Sequence, residues 1–343
     1  MSTLQSTTIY SVAQLAGVST ATVSRALRAR DKVSPDTYDK VMEAVERLHY
    51  IPRGPAASLA RQSTGALGLV LPHITGWYYA ELVVGFEMAA SEMQQSAIVA
   101  LANSRSDAER CVRELAERVD GLAFLARSAV PDSLIATISR ARPVVTGARS
   151  QVADLDCLRT ENAEPSRALT ARLLASGRKR LLFLGDPEPG SDVALRYSGF
   201  RAAHLERGLA APQARPVELE EEAGRRAVAD LLASGFDADA VVCANDHIAL
   251  AAIKEFQAAG VRVPDDVAVT GWDDLMAARY ISPSLTTVSQ PVIELGRLAA
   301  LRLQGLVSGH APDPTPIVLD STLICRDSCG TKDASSPSTK EKK

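Results

Sequence analysis

SVAQLAGVSTATVSRALR, residues 11–28, carries two short runs of helical periodicity on either side of Gly17-Val18-Ser19. Two short helices joined by about three or four residues that include a glycine form a helix-turn-helix signature. Ser11 is placed to cap the first helix, whose Val12, Leu15 and Ala16 share a face and whose end is marked by Gly17. Ser19 is placed to cap the second, with Val23, Ala26 and Leu27 turned inward. Beyond it, Ser34-Pro35 reads as a cap followed by proline at the first helical position. That third helix has Tyr38, Val41, Met42, Val45 and Leu48 as its inward stripe. The outward face of the second helix is left with small and hydroxyl side chains and one guanidinium. Ser19, Thr20 and Ala21 permit close approach to base edges, and Arg25, one turn on, has the fork that pairs with guanine O6 and N7. The competing reading is an ordinary solvated helix. Charge favours the first: residues 1–62 hold eight Lys/Arg against five Asp/Glu, a basic head on a chain whose net charge is −3.

Downstream, YIPRGPAASLARQSTG (50–65) reads as a linker with a conditional helix from Pro55 to about Ala60. An isolated helix needs roughly 12–15 residues in water, so this one is expected to fold only on a partner. From Leu67 the pattern changes to short apolar strands, such as LGLVL, AIVAL, GLAFL, PVVTG, RLLFLG, AVVCA and DVAVTGW, alternating with amphipathic helices. This is a doubly wound α/β pattern with parallel sheets, and its length suits two lobes better than one. The expected fold is thus an all-α helix-turn-helix head on an α/β core of two doubly wound parallel-sheet lobes. The boundaries read as head 1–50, hinge 51–65, core 66–329 and a disordered tail 330–343. Within the core, an N-lobe takes about 66–160 plus 290–325 and a C-lobe about 161–289.

Composition excludes several classes. No apolar run reaches the roughly 18–20 residues of a membrane span, and the first ten residues lack a signal peptide's basic start and apolar stretch. Five scattered cysteines suggest reduced thiols and therefore a cytoplasmic location, and five histidines without paired spacing argue against a metal site. No dinucleotide fingerprint, phosphate-binding loop or nucleophile elbow follows any strand, so neither an enzyme nor a cofactor is expected. A secreted sugar-binding protein would share the core architecture but needs a signal peptide and no DNA-reading head.

Ligands of doubly wound sheets lie beyond the carboxyl ends of the strands. The two tryptophans of the chain, Trp77 and Trp272, both follow such strand ends, and a flat indole suits a sugar ring or a base. Asn245, Asp273 and Arg196 can hydrogen-bond hydroxyls there. Each has a plainer alternative: Asn245 or Asp246 as the cap of DHIALAAIKEF, Asp273 or Asp274 as the cap of the next helix, Arg196 as an ion-pair partner.

The stretch TIYSVAQLAGVSTATVSRALRARDKVSPDTYDKVMEAVERLHYIP resembles the DNA-binding head of the lactose-repressor (LacI/GalR) family. LGLVLPHITGWYYAEL, VDGLAFL, CANDHIALAAIKEFQAAGVRVPDDVAVTGWDDL and PSLTTVSQPVIELGRLAALRL resemble its core, which in turn resembles periplasmic sugar-binding proteins. The resemblance runs from about residue 8 to residue 325. It implies DNA contacts at Tyr10, Ser19, Thr20, Ala21, Thr22, Ser24, Arg25 and Lys32, with Thr20 and Ala21 choosing the operator. Leu59 matches a leucine wedged into the minor groove at the operator centre, and Ala56 its neighbour. Arg196, Asn245 and Asp273 fall on effector-holding positions, as do Arg149 and Tyr78 by the same comparison. Ser11 stands where the family usually has Asp, Arg53 where it usually has Asn, and His73 where many members have Asp; Pro55 and Ala57 are also atypical. The resemblance implies a repressor acting as a homodimer or dimer of dimers on a pseudo-palindromic double-stranded operator. Its small-molecule effector would be a sugar or sugar derivative, with a purine-type corepressor as the alternative.

Overall fold

The computed structural model describes residues 7–28, 30–50, 63–149, 151–152 and 154–331. Ala56 and Leu59, with the hinge segment 51–62 and the tail from 332, lie outside the described residues. No helix among the described residues is long and apolar enough to cross a membrane. The chain divides into two compact units, Met1–Thr64 and Gly65–Lys343.

The first unit has three helices, α1 (Ile9–Ala16), α2 (Thr20–Arg28) and α3 (Pro35–Arg47). Thr8, not Ser11, caps α1: the Ser11 amide donates to Thr8 Oγ1 at 3.4 Å, because the helix starts one residue after Thr8 and already includes Ser11. Gly17 ends it at φ 66, and the Val18 amide closes back on the Ala13 carbonyl at 3.0 Å, a left-handed cap that glycine takes without a Cβ penalty. The inward face of α1 is Val12 and Ala13, while Leu15 is 41% exposed, contrary to the expected stripe. Ser19 and Ser34 cap as expected, accepting from the amides of Thr22 at 3.1 Å and Thr37 at 3.3 Å. Val12, Val23, Ala26, Val41, Ala44 and Tyr50 close the small core.

In the second unit, one sheet runs β10-β5-β4-β3-β1-β2, all parallel. Its strands are β1 (Ala66–Leu71), β2 (Ser96–Leu101), β3 (Gly121–Leu125), β4 (Val144–Gly147), β5 (Asp156–Thr160) and β10 (Ile317–Leu319). Between them lie α4 (Trp77–Glu92), α5 (Arg105–Ala116) and α6 (Asp132–Ser139). A second parallel sheet orders β6 (Leu181–Leu184), β7 (Ala240–Cys243) and β8 (Ala268–Thr270). It is accompanied by α7 (Ala163–Ala175), α8 (Asp192–Leu205), α9 (Glu221–Ala233), α10 (Asp246–Ala258) and the short α11 (Met276–Tyr280). Helix α12 (Val292–Val307) returns to the first sheet, where Val292, Leu295, Ala299 and Leu303 join Leu82, Phe86 and Ala89 of α4 in one core. Two features depart from the sequence reading. A small antiparallel pair, β9 (Thr287–Ser289) with β11 (Thr322–Ile324), lies outside the two parallel sheets. The chain also re-enters the C-lobe after Leu319 rather than after residue 325. Leu323 packs on the C-lobe core, Cys329 lies within it, and Ser328 Oγ donates to the Val269 carbonyl at 2.6 Å. Three crossings, at 160–163, 289–292 and 319–322, therefore join the lobes.

Candidate functional site

On α2 the groups proposed to meet DNA emerge from the capping chemistry. The Ser19 hydroxyl is engaged with Thr22, both with its amide and with Thr22 Oγ1 at 2.9 Å, which fixes the first turn. Ala21 and Arg25, four apart and both exposed, share one outer face. Thr20, Thr22 and Ser24 are half-buried at its flanks. No acidic residue occupies the first turn of α1 or α2, so both amino termini keep the positive end of their dipoles for an anion. Tyr10 at the start of α1 is 74% exposed, and Lys32 is exposed beyond α2. Arg25 has no carboxylate at ion-pair distance among the described residues. The arrangement leaves a guanidinium and a small-residue patch unspent by the fold.

The core contains a cleft of about 590 Å³ between the strand ends of the two lobes. Tyr78, Arg196, Asn245 and Asp273 line it; Trp77, Arg149 and Trp272 do not. Arg196, on α8, is buried and heavily held. Its Nε donates to Asn162 Oδ1 at 2.8 Å, its Nη1 to the Ala244 carbonyl at 2.5 Å, and its guanidinium lies 4.6 Å from the centroid of the Trp272 ring. Asn245 does cap α10, accepting from the Ile248 amide at 3.0 Å, and its Nδ2 donates to the Leu219 carbonyl at 3.1 Å. It lines the cleft in addition to capping. Asp273 follows β8 with φ 109, a conformation rare for residues with side chains, and accepts from Gln290 Nε2 at 2.6 Å. Burial pushes its carboxyl up to about 6 against the pull of Arg196 and the Gln290 hydrogen bond. Asp274 turns the other way, into ion pairs with Arg326 at 2.5 Å and Arg279 at 2.9 Å.

The tryptophan expectation needs correcting. Trp272 is 2% exposed and belongs to the C-lobe core, so it supports Arg196 from behind instead of facing the cleft. Trp77 is 52% exposed and lines a smaller recess of about 160 Å³ with Glu81, Asp274 and Arg279, which adjoins the cleft through the shared Tyr78, Asp273 and Leu275. On α4 it sits one residue before Tyr78, which with Leu82, Phe86 and Ala89 follows the inward period. Arg149 is buried in an ion pair with Asp132, while its neighbour Ala148 reaches the cleft.

Several cleft residues escaped the sequence reading. Tyr79 packs edge-on against Tyr78 at 5.3 Å and against His73 at 4.4 Å, and burial raises its phenol to about 12. Asp192 follows the Ser191 cap at the start of α8, and burial raises its carboxyl. Arg127 of the N-lobe and Glu188 of the C-lobe meet at 2.5 Å. Asp186, Glu218, Glu220 and Glu221 also line the cleft without an ion-pair partner among the described residues. The cleft therefore offers many carboxylate acceptors, the rings of Tyr78, Tyr79, His73 and His247, and few uncommitted cations. Among the described residues no group of three or more His, Cys, Asp or Glu is arranged to hold a metal.

Comparison with known proteins follows both halves. Residues 8–53 match the family described as bacterial regulatory proteins, lacI family, and residues 170–329 match the periplasmic binding protein-like domain. The HTH-type transcriptional regulator CelR of Thermobifida fusca is 32% identical over 94% of this chain and 98% of its own. A solved CelR–cellobiose complex superposes with a TM-score of 0.72 at 30% identity, covering 94% of this chain and 99% of that one. The Lac repressor dimer bound to operator and the anti-inducer ONPF superposes with a TM-score of 0.84 at 26% identity, covering 95% and 99%.

Proposed function

The chain belongs to the lacI family of bacterial regulatory proteins and is a DNA-binding transcriptional regulator, not an enzyme; from that premise we propose that it is a repressor whose operator affinity is set by an uncharged sugar in the core cleft. The observation that carries the ligand reading is the cleft's lining. Unpaired carboxylates accept from hydroxyls and repel phosphate, and Asp273, Asn245 and Arg196 stand together at one wall. The complex of the relative CelR with cellobiose supports the same class of ligand. With both indoles outside the lining, the flat rings that could stack on a purine corepressor are Tyr78, Tyr79, His73 and His247. A thermal-shift panel of neutral mono- and disaccharides, their phosphates and purines tests this. A ligand at about 100 times its dissociation constant adds roughly 2.7 kcal/mol. Stabilisation by phosphosugars or purines alone would overturn the reading.

On DNA, the head (1–50) places α2 in the major groove, with Ser19, Thr20, Ala21, Thr22, Ser24 and Arg25 toward bases and phosphates. Tyr10 and Lys32 meet the backbone. The hinge (51–65) brings Ala56 and Leu59 to the minor groove, and operator affinity unchanged by Leu59→Ala would remove the wedge. Two heads reading a pseudo-palindrome require a homodimer or dimer of dimers, acting at the chromosome in the cytoplasm. An exposed apolar face supports the pairing. Trp77, Val84 and Met88 recur on one side of α4, Val99 and Leu101 lie exposed on the edge strand β2, and Tyr280 of α11 is 81% exposed.

A further inference from the structure

Two of the three lobe crossings carry polar side chains that the fold buries almost completely: Thr160 and Asn162 on the first, Gln290 on the second. They do not line the cleft, yet a continuous line of hydrogen bonds through them begins and ends at cleft residues. Gln290 Nε2 donates to Asp273 Oδ1 at 2.6 Å, and Thr160 Oγ1 donates to Gln290 Oε1 at 2.5 Å. Asn162 Nδ2 donates to the Thr160 carbonyl at 2.9 Å, and Arg196 Nε donates to Asn162 Oδ1 at 2.8 Å. The orientation of both amides is forced by the ends of the line. An ionised carboxylate only accepts and a guanidinium only donates, so flipping either amide would set like against like. Three of the four bonds are buried and the Gln290–Asp273 bond is part-buried at the cleft wall; an unmade buried bond costs the desolvation of its partner. The line therefore moves as a unit or breaks at a cost.

The Thr160–Gln290 bond joins residues 130 apart in sequence, across two separate passages of the chain between lobes. The Asp273 amide is itself held to the Val288 carbonyl at 2.8 Å, so the loop bearing Asp273 is fastened by backbone to β9, which leads into the second crossing. We propose that Gln290, Thr160 and Asn162 are positioning residues that lock the first and second crossings to each other and to Asp273 and Arg196. A compound that engages either cleft residue then shifts both crossings together. This rests on the cleft being the ligand site, as argued above.

Hydrogen exchange by mass spectrometry on the full-length chain tests the lock without needing the ligand's identity. Asn162→Ala should accelerate exchange in peptides spanning 289–294, and Gln290→Ala in peptides spanning 160–165, each by about 5-fold or more. Gln290→Glu, nearly isosteric, keeps the acceptor for Thr160 and loses the donor to Asp273, and should act in the same direction if the alanine variant does not fold. Val228→Ala, in the C-lobe core away from the line, controls for general loss of stability. Acceleration confined to the substituted crossing, or matched by Val228→Ala, overturns the proposal. The thermal-shift panel reports on the ligand reading separately, and its failure would leave an observed coupling between the crossings in place.

Discussion

Asp273 combines a rare backbone conformation with a carboxyl raised to about 6, and the two together give its titration a defined sign. An unfolded Asp titrates near 3.9, so the folded chain holds this proton more tightly. Its contribution to stability is fully present below about pH 4 and is lost as pH rises through about 6. Binding of a hydroxyl ligand runs the other way, because only the ionised carboxylate accepts from both oxygens. Affinity for a neutral sugar should therefore rise between about pH 5 and 7 with a midpoint near 6, and Asp273→Asn should flatten the profile. Calorimetric titration across that range is the measurement; a flat profile in the wild-type chain would remove Asp273 from the ligand. On the head, Arg25 is exposed and uncommitted, which suits base reading. Arg25→Ala should cost about 1–3 kcal/mol at the cognate operator and little on random DNA. Gel-shift titrations on both DNAs separate the cases, since an equal loss would make Arg25 a phosphate contact.

Between β8 and α11, the loop bearing Asp273 is set by groups that have no local signature in sequence. Asp246, fully buried at the start of α10, accepts from Thr287 Oγ1 at 2.7 Å and from the Leu275 amide at 2.8 Å. A Cβ on Gly271 would stand 2.1 Å from Asp246 Oδ1, so the glycine is there for close approach. Gly271→Ala should destabilise the chain by about 1–3 kcal/mol, as overpacking does, and weaken sugar binding with it. Chemical denaturation gives the first number, and unchanged stability would show that the loop yields without strain. Caps and periodicity made α2 and α3 legible from Ser19, Ser34 and Pro35, and apolar runs made seven strands legible, whereas β5, β9, β10 and β11 carried no such run and were not read. The tryptophans were legible in place but not in direction. A residue after a strand can turn to either side, and Trp272 turned inward where Asp273 turned to the cleft. Trp77 could have been read better, since the inward period of α4 already belongs to Tyr78, Leu82 and Phe86. Gln290 was beyond reach, because its meaning depends on Thr160 and Asp273, neither of them near it in sequence.

At the scale of the molecule, the outer face of α4 and the edge strand β2 raise a demand that one chain does not meet. An edge strand with exposed Val99 and Leu101 is a template for unwanted pairing unless something covers it. A second copy is the occupant proposed above, two heads then being held at a fixed spacing to read two half-sites. Val84→Asp with Met88→Asp places two charges on that face while leaving the inward stripe of α4 intact. Analytical ultracentrifugation should then find a monomer. Tethered heads gain roughly 10²–10⁴ in avidity over single ones, so the variant should lose operator affinity on that order. Sugar binding should stay near wild type, because the cleft is formed within one chain. A variant that remains dimeric would move the interface elsewhere, and a monomer that keeps full operator affinity would refute two-headed reading.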